Sequence, residues 1–460
     1  MTDQPNPNAL RSEPYVLNAS TTDAILAALE VGARDQLVAF LEPLHAADIA
    51  DFVEQISADE RTRLLTLWGA QLDADFLFEL EEGIRDEVTG LLTPAQIAEA
   101  VKDRDTDDLV YLVEDLDDAE QEAVLEQLDD ADRVAVEKSL EYPEFSAGRL
   151  MQRTVVTAPL HWSVGDVIDH MRASDDLPEQ FYDIIIVDPA YKPIGEVRLG
   201  KVMANQRAVM LTDLMEKEFR TIPVEQSQED VAYAFNQYHM IQAPVVDQNG
   251  RLVGTITIDD AMEVLEDEAE EDMMRLAGVG AEEELTDGIL DTTRQRFPWL
   301  AINLGTAILA SAVIAIFEDT IAAIVALAVL MPIIASMGGN AATQSLTVAV
   351  RALATKDLTG ANAWRVIRRE VAAGALNGLL FAVVMGGVGA LWFGSPALGV
   401  VLAVAMVVNM VVAGLAGVLI PLGLERAGAD PALASGTFVT TVTDVVGFFA
   451  FLGLAAVVLL

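Results

Sequence analysis

The chain has 460 residues, with 72 acidic side chains against 28 basic ones and a formal net charge of −44. So negative a protein repels nucleic acid and anionic lipid headgroups, and cations are its expected partners. The absence of cysteine excludes disulfides. The charge is uneven: residues 1–296 hold 65 acidic and 22 basic side chains, whereas residues 297–460 hold only seven and six.

The first third of the chain has the pattern of a helical domain. Residues 1–19 are predicted to be disordered, and residues 20–145 to form stacked helical hairpins. "LHAADIADFVEQISADERTRLLTLW" and "DTDDLVYLVEDLDDAEQEAVLEQL" both place apolar residues at helical spacing on either side of a short acidic turn. Ser57 with Glu60 predicts a capping box at one of these helix starts.

Residues 146–262 contain a duplication. "LMQRTVVTAPLHWSVGDVIDHM" aligns with "LMEKEFRTIPVEQSQEDVAYAF", and "IIIVDPAYKPIGEV" with "APVVDQNGRLVGTI". Each copy of about 60 residues predicts a helix, a buried strand, a turn and a second strand. The duplicated α/β unit resembles a CBS-domain pair.

A CBS pair can hold an adenosine nucleotide between its copies, ATP among them. "GTITIDD" in the second copy resembles the ligand-binding pattern, which implies Thr257 towards phosphate and Asp260 towards the ribose hydroxyls. The first copy reads "GEVRLGK" and departs from the pattern, so at most one site is expected. The alternative is that Asp259 or Asp260 caps the helix that follows.

Residues 263–296 are predicted to form an acidic connecting helix. Seven of the ten residues 263–272 are acidic, and a helix would place like charges four residues apart, as at Glu263 and Asp267. A divalent cation would relieve this repulsion with oxygen ligands. Residues 103–108 and 115–120 add further acidic clusters. The alternative is a solvated acidic linker.

Residues 297–460 are predicted to be a transmembrane domain of five helices. A span needs about 20 apolar residues. The apolar runs are 299–317, 321–350, 371–393, 397–424 and 432–460. The basic residues before the first run, between the second and third, and between the fourth and fifth all fall on one side. By the positive-inside rule that side is cytoplasmic, which leaves the C-terminus outside.

Two of the spans contain unusual residues. The second holds Pro332 and then "GGNAATQS", a sequence that permits close helix approach or a break that lines a polar path. The fifth contains Asp444, the only charged residue within a predicted span. A carboxylate inside a membrane segment indicates function, because insertion there is costly.

The order of these modules resembles the MgtE family of magnesium channels. The resemblance rests on the helical domain, the CBS pair, the acidic helix, the "GGN…QS" second span and the "TDVVGFF" fifth span. It implies a homodimer in the lipid bilayer, with a pore on the two-fold axis lined by the second and fifth spans. It also implies Mg²⁺ as the ion.

The resemblance also implies the site residues. Asp444 matches the pore aspartate that binds hydrated magnesium, and the other implied pore residues are Thr440, Gly339, Thr343 and Thr347. Thr343 replaces an Asn of the commoner "GGNTGNQ". The implied regulatory ligands are Asp260, Glu263, Glu268, Glu271, Asp272, Glu229 and Asp108. His239 stands where the family often has Asp.

The sequence therefore predicts a magnesium-selective channel of the bacterial inner membrane that cytosolic Mg²⁺ closes. The alternative is a non-conducting, membrane-anchored regulator that senses a nucleotide through its CBS pair. Asp444 and the polar second span favour the channel, since an anchor needs neither. No enzyme is expected, because the chain has no cysteine and no phosphate-cradling loop, and its four histidines, at 45, 161, 170 and 239, lack ligand spacing.

Overall fold

The chain forms two compact units, Met1–Glu268 and Ala269–Leu460. The structure is a computed structural model. It describes residues 11–13, 16–17, 19–69, 74–100, 104–114, 116–174, 177–178, 180–280, 283, 288–434 and 436–460.

The first unit begins with two short antiparallel strands, β1 (Arg11–Glu13) and β2 (Val16–Leu17). They lie in a segment predicted to be disordered. Leu17 is buried in the hydrophobic core of the helical domain, and this burial offsets part of the entropy lost on ordering the strands. Residues 1–10 of the predicted disordered segment lie outside the described residues.

A helical domain follows, and its apolar faces enclose one core around Phe52, Phe76 and Leu64. Its helices are α1 (Ala19–Val31), α2 (Arg34–Leu41), α3 (Ala46–Gln55), α4 (Ala58–Trp68), α5 (Glu82–Leu91), α6 (Pro94–Ala100), α7 (Thr106–Val113), α8 (Asp118–Leu125) and α9 (Asp130–Leu140), with a 3-10 turn at Ala74–Glu79. The predicted capping box starts α4: the backbone N–H and hydroxyl of Ser57 donate to Glu60 at 2.9 and 2.7 Å.

The predicted duplication forms two matching three-stranded sheets. The first copy contains α10 (Ala147–Leu150), β3 (Thr157–Pro159), α11 (Val164–Ala173), β4 (Asp183–Val187), β5 (Pro193–Arg198) and α12 (Leu199–Ala204). The second contains α13 (Leu211–Leu214), β6 (Ile222–Pro223), α14 (Gln228–Tyr238), β7 (Gln242–Val246) and β8 (Leu252–Thr257). In each sheet the first strand pairs parallel to the second, which pairs antiparallel to the third.

The two copies exchange their leading segments. A Cβ added to Gly195 of the first copy would lie 2.3 Å from Met215 Cγ, at the start of the second copy. A Cβ added to Gly254 of the second copy would lie 2.6 Å from Met151 Sδ, at the start of the first. Each copy therefore completes the packing of the other, and glycine is needed at both positions because no side chain fits there.

The acidic helix is shorter than predicted. Helix α15 spans Ile258–Ala277 and ends at Gly278, whose φ of +74° favours glycine. Helical structure resumes in α16 (Ile289–Ile316), which is continuous with the first apolar run. Among the residues described, the acidic connecting segment predicted over 263–296 is thus not one continuous helix: Gly278, in the left-handed region, ends α15, which carries the acidic residues 263–272.

The second unit contains five helices long and apolar enough to cross a membrane among the residues described, which confirms the predicted count. They are α16, α18 (Ala326–Ala354), α19 (Ala363–Phe393), α20 (Pro396–Ala427) and α21 (Gly436–Val458). A short helix α17 (Glu318–Ala323) lies between the first two, and a 3-10 turn at Pro431–Ala434 precedes the last.

Helix α18 is unbroken, although Pro332 and the paired glycines permitted a break. Its glycines Gly338 and Gly339 instead let neighbouring helices approach α18 closely. Glycines of α19 have the same role. A Cβ on Gly374 of α19 would lie 2.5 Å from the carbonyl oxygen of Met410 in α20, and one on Gly378 would lie 2.9 Å from Val407 Cα. Small residues on α19 therefore allow it to pack closely against α20.

Candidate ion-binding and regulatory sites

Asp444 lies in the middle of α21 and is half-buried. Among the residues described, no cationic side chain or hydrogen-bond donor reaches its carboxylate. Thr440 lies one helical turn earlier, and its hydroxyl donates to the Thr437 carbonyl at 3.2 Å. The carboxylate of Asp444 thus remains available to a cation, while the helix satisfies the neighbouring hydroxyl.

One face of α18 is polar and exposed within the single chain. It carries Ser336, Asn340, Thr343 and Thr347, spaced at three or four residues along the helix. Thr343 donates to the Gly339 carbonyl, and Thr347 to the Thr343 carbonyl, both at 3.0 Å. Polar groups facing lipid are costly, so a face of this kind in a membrane helix meets water or another chain.

Helices α18 and α21 approach each other at the residues implied for the pore. A Cβ added to Gly339 would lie 3.3 Å from the methyl group of Thr440. One turn along α18, a Cβ on Gly436 would lie 3.8 Å from the Thr343 hydroxyl oxygen. The structure therefore brings Gly339, Thr343 and Thr440 to one helix–helix contact, with Asp444 one turn further along α21.

A second set of acidic residues lies in the first unit, between α7 and the start of α15. Burial raises the pKa of Asp107, and the nearby carboxylates of Asp260 and Asp108 raise it further. Burial also raises the pKa of Asp260 to about 7, against the hydrogen bonds from Thr257 that lower it. Packing of the helical domain against the second CBS copy thus places carboxyl groups from both domains close to one another.

Glu263 extends this acidic surface by one turn of α15. It accepts a hydrogen bond from the Tyr111 hydroxyl, and the guanidinium of Arg85 lies 3.7 Å from the Tyr111 ring centroid. The Glu263 side chain keeps some exposed surface, but the surrounding protein desolvates its carboxyl group and so raises its pKa. Asp267, four residues on, raises the pKa further, which confirms the predicted repulsion along the helix.

The other implied regulatory residues have different surroundings. Glu268 accepts from the Gln228 side chain at 3.1 Å, whereas Glu271 forms an ion pair with Arg275 of its own helix. Glu229 is exposed in the first turn of α14, and Asp272 is half-buried on α15. His239 ends α14 with a left-handed φ of 54°.

The acidic residues between α7 and α15 do not form a closed metal-binding cage in the part of the chain that the structure describes. Among the residues that the structure describes, no group of three or more His, Asp or Glu side chains is arranged to hold a metal ion. Magnesium usually keeps several waters and binds through one or two carboxylates. Carboxylates close enough to repel each other, as those of Asp107 and Asp260 are, belong to the class of ligand that such partial coordination uses.

Thr257 and Asp260, the implied nucleotide ligands, form a helix cap. The Thr257 hydroxyl and backbone N–H donate to Asp260 Oδ2 at 2.8 and 3.3 Å. Asp260 therefore takes part in capping α15, as the alternative to a nucleotide-binding role predicted. A nucleotide at these two residues stays a prediction.

Sequence reasoning singled out neither Asp107 nor Tyr111. Asp107 and Asp108 precede Tyr111 by four and three residues, the spacing that makes each of them a neighbour of Tyr111 on the surface of α7. That spacing was the available signal. Arg85 lies 178 residues before Glu263 in sequence, and only the fold brings its guanidinium to Tyr111, which donates to Glu263.

Comparison with known proteins identifies the family. Residues 331–454 match the family described as MgtE, divalent cation transporter; residues 44–145 match the MgtE intracellular N domain; residues 211–267 match the CBS domain. The magnesium transporter MgtE of Thermus thermophilus is 31% identical over 437 residues, which cover 94% of this chain and 97% of that protein. The chain belongs to the MgtE family of magnesium transporters.

A second MgtE relative agrees with this assignment. The magnesium transporter MgtE of Enterococcus faecalis is 33% identical over 69% of this chain and 70% of its own length. The crystal structure of the cytosolic domain of the Mg²⁺ channel MgtE in complex with ATP is 26% identical, with a TM-score of 0.48, and covers 53% of this chain and 99% of that one. The family is one of transporters, which is not an enzyme class.

Proposed function

We propose that this MgtE-family chain forms a homodimeric, magnesium-selective channel of the bacterial inner membrane, and that cytosolic Mg²⁺ closes it. The observation that carries the proposal is the polar face of α18, which stays exposed in one chain beside the α21 helix that holds Asp444. Two chains related by a two-fold axis would turn these faces towards each other and enclose a polar path.

Such a dimer would present two Asp444 carboxylates to one ion. Acidic side chains arranged in this way select cations in channels. Magnesium releases its waters reluctantly, so the carboxylates would bind the hydrated ion through those waters. The hydroxyls of Thr343, Thr347 and Thr440 already donate to helix carbonyls, which leaves their lone pairs available to the ion's waters.

The proposed regulation rests on the surface between α7 and α15. Without cations, the carboxylates of Asp107, Asp108, Asp260 and Glu263 oppose the packing of the helical domain on the CBS pair. Magnesium bound between them would turn repulsion into bridges and favour the packed, closed state. A change from 99:1 open to 99:1 closed requires about 5.5 kcal/mol of differential binding, which several weak sites per subunit would supply together.

Magnesium uptake by the purified protein in liposomes tests conduction. Asp444→Ala should abolish flux while the dimer still assembles, and Asp444→Asn should fail nearly as badly because the charge is needed. Asp319→Asn, which changes an exposed acid in the short helix α17, is the matched control and should transport like the parent. Parental flux in the Asp444 variants would contradict the pore assignment.

A further inference from the structure

A fully buried asparagine lies among the membrane helices. Asn409, in the middle of α20, is 0% exposed. Its Nδ2 donates to the Ile334 carbonyl of α18 at 2.9 Å. Among the residues described, its Oδ1 has no hydrogen-bond donor. A buried amide oxygen without a hydrogen-bond donor destabilises the folded protein, because it loses its bonds to water and gains none in exchange. An apolar side chain at this position would not carry that desolvation cost.

The carboxamide of Asn409 fits between two glycines on different helices. A Cβ added to Gly338 of α18 would lie 2.2 Å from Asn409 Nδ2. A Cβ added to Gly447 of α21 would lie 2.9 Å from Cγ, Nδ2 and Oδ1 of the same side chain. Asn409 therefore contacts the backbones of both helices, and neither glycine has room for a side chain.

These contacts lie beside the residues assigned to the pore. Gly338 adjoins Gly339, whose added Cβ would lie 3.3 Å from the Thr440 methyl group. Gly447 follows Asp444 by three residues, which is less than one helical turn. The side chain of Asn409 thus fixes α18 to α21 at the level where the two helices carry their candidate ion-binding groups.

We propose that Asn409 is a positioning residue for the ion site, a role that rests on the proposed conduction through Asp444. Its hydrogen bond to the Ile334 carbonyl and its fit between Gly338 and Gly447 set the separation and rotation of α18 and α21. That geometry sets how the Asp444 carboxylate and the α18 polar face meet a hydrated ion. Asn409 itself does not touch the ion.

The test measures Mg²⁺ uptake against Mg²⁺ concentration in liposomes containing the full-length protein. Asn409→Leu keeps the number and branching of the side-chain heavy atoms but removes the hydrogen bond. We expect the half-saturating Mg²⁺ concentration to rise about tenfold, because displaced ligands bind the ion less well, with dimer assembly and thermal midpoint no lower than in the parent. Asn377→Leu, the same change at an exposed position of α19, is the matched control and should leave the concentration unchanged.

Asn409→Asp is the second variant, and it covers the case in which the leucine variant does not assemble. It keeps the shape of the side chain but replaces the amide with a carboxyl group, which in its ionised form has no donor for the Ile334 carbonyl. A positioning role predicts a higher half-saturating concentration in this variant also. A lower half-saturating Mg²⁺ concentration would mean that residue 409 binds the ion directly. An unchanged concentration would mean that the amide donor of Asn409 has no role. Either result overturns the proposal.

Asp444→Ala, measured in parallel, separates this inference from the proposed function. If Asp444→Ala is inactive while the Asn409 variants match the parent, only the positioning role fails. If Asp444→Ala transports like the parent, the pore assignment itself fails.

Discussion

The carboxylate of Asp260, at the start of the acidic helix, raises the pKa of Asp107 in the helical domain. The two residues are 153 positions apart in sequence and belong to different domains of the first unit. Repulsion between them opposes the packing of those domains. A divalent cation between them would remove that repulsion, and this relationship underlies the regulatory prediction.

Neutralising the acidic helix should keep the channel open. In Glu263→Gln/Glu268→Gln/Glu271→Gln, the bridging carboxylates are lost, so we expect closure to need at least about tenfold more cytosolic Mg²⁺, equivalent to about 1.4 kcal/mol. Among the single variants, Glu271→Gln should have the smallest effect, because Arg275 already neutralises that residue. Channel opening recorded against cytosolic Mg²⁺ in excised patches measures this.

Glu266→Gln/Glu270→Gln is the matched control for the triple variant, since both residues are exposed on the same helix. It should close like the parent. An unchanged closure curve in the triple variant would make the acidic helix a solvated linker. Closure at lower Mg²⁺ would show that these carboxylates only repel and form no bridges.

The topology can be checked by labelling, because the chain has no cysteine of its own. The one-sided distribution of basic residues predicts a cytosolic N-terminal region. Leu460→Cys and Glu318→Cys, both at exposed positions, should react with an impermeant thiol reagent in intact cells, whereas Asp23→Cys should react only after lysis. The reverse pattern would place the regulatory surface outside and overturn the proposed regulation.

The ion pair between Arg275 and Asp430 should help to hold the channel closed. Arg275 lies in the last turn of α15, and Asp430 lies before the turn that leads into α21, where it also accepts from the Ala432 N–H at 2.7 Å. Leu276 packs on the same core as Ala432. These contacts join the end of α15 to the segment that leads into the Asp444 helix.

Removing this pair should therefore weaken closure. For Arg275→Gln we expect half-closure at roughly threefold higher Mg²⁺, since a partly exposed ion pair contributes at most about 1 kcal/mol. Asp430→Asn should act in the same direction, and the double variant should be no worse than the stronger single one. Additive effects in this double-mutant cycle would show that the two residues act separately.

Glu196 should make the first CBS copy less stable as pH rises. Burial, and then the carboxylates of Asp183 and Glu216, raise the pKa of Glu196 to about 7 from an ordinary value near 4.5. The folded protein therefore holds this proton more tightly than the unfolded chain, so the contribution of Glu196 to stability is fully present below pH 4.5 and is lost as pH rises through about 7. Glu196→Gln should remove that decline.

We expect Glu196→Gln to be more stable than the parent by about 1 kcal/mol at pH 8, after allowance for solvent screening, and equal to it near pH 4. The temperature at which protease first cleaves within residues 183–198 of the full-length protein is the measurement. Glu218→Gln, at an exposed position of the same domain pair, should show no pH-dependent gain. A gain independent of pH would mean that the substitution acts by packing alone.

Local sequence determined the elements of this protein. Apolar runs of about 20 residues specify membrane helices wherever they fold, because an unpaired backbone is costly in lipid. The duplicated spacing specified two matching sheets, and Ser57 with Glu60 specified a helix start, since a capping box closes within four residues. Each of these features depends on interactions between near neighbours in the chain.

Tertiary structure decided what distant residues do to one another. Gly338 was readable as a break or as a packing site, and the buried Asn409 of another helix makes it a packing site. Nothing in the sequence distinguished Asp107 from the other acidic residues near it, and only the fold places it close to Asp260. The physical reason is that steric fit and charge repulsion depend on separation in space, and the fold alone brings segments more than 70 residues apart into contact.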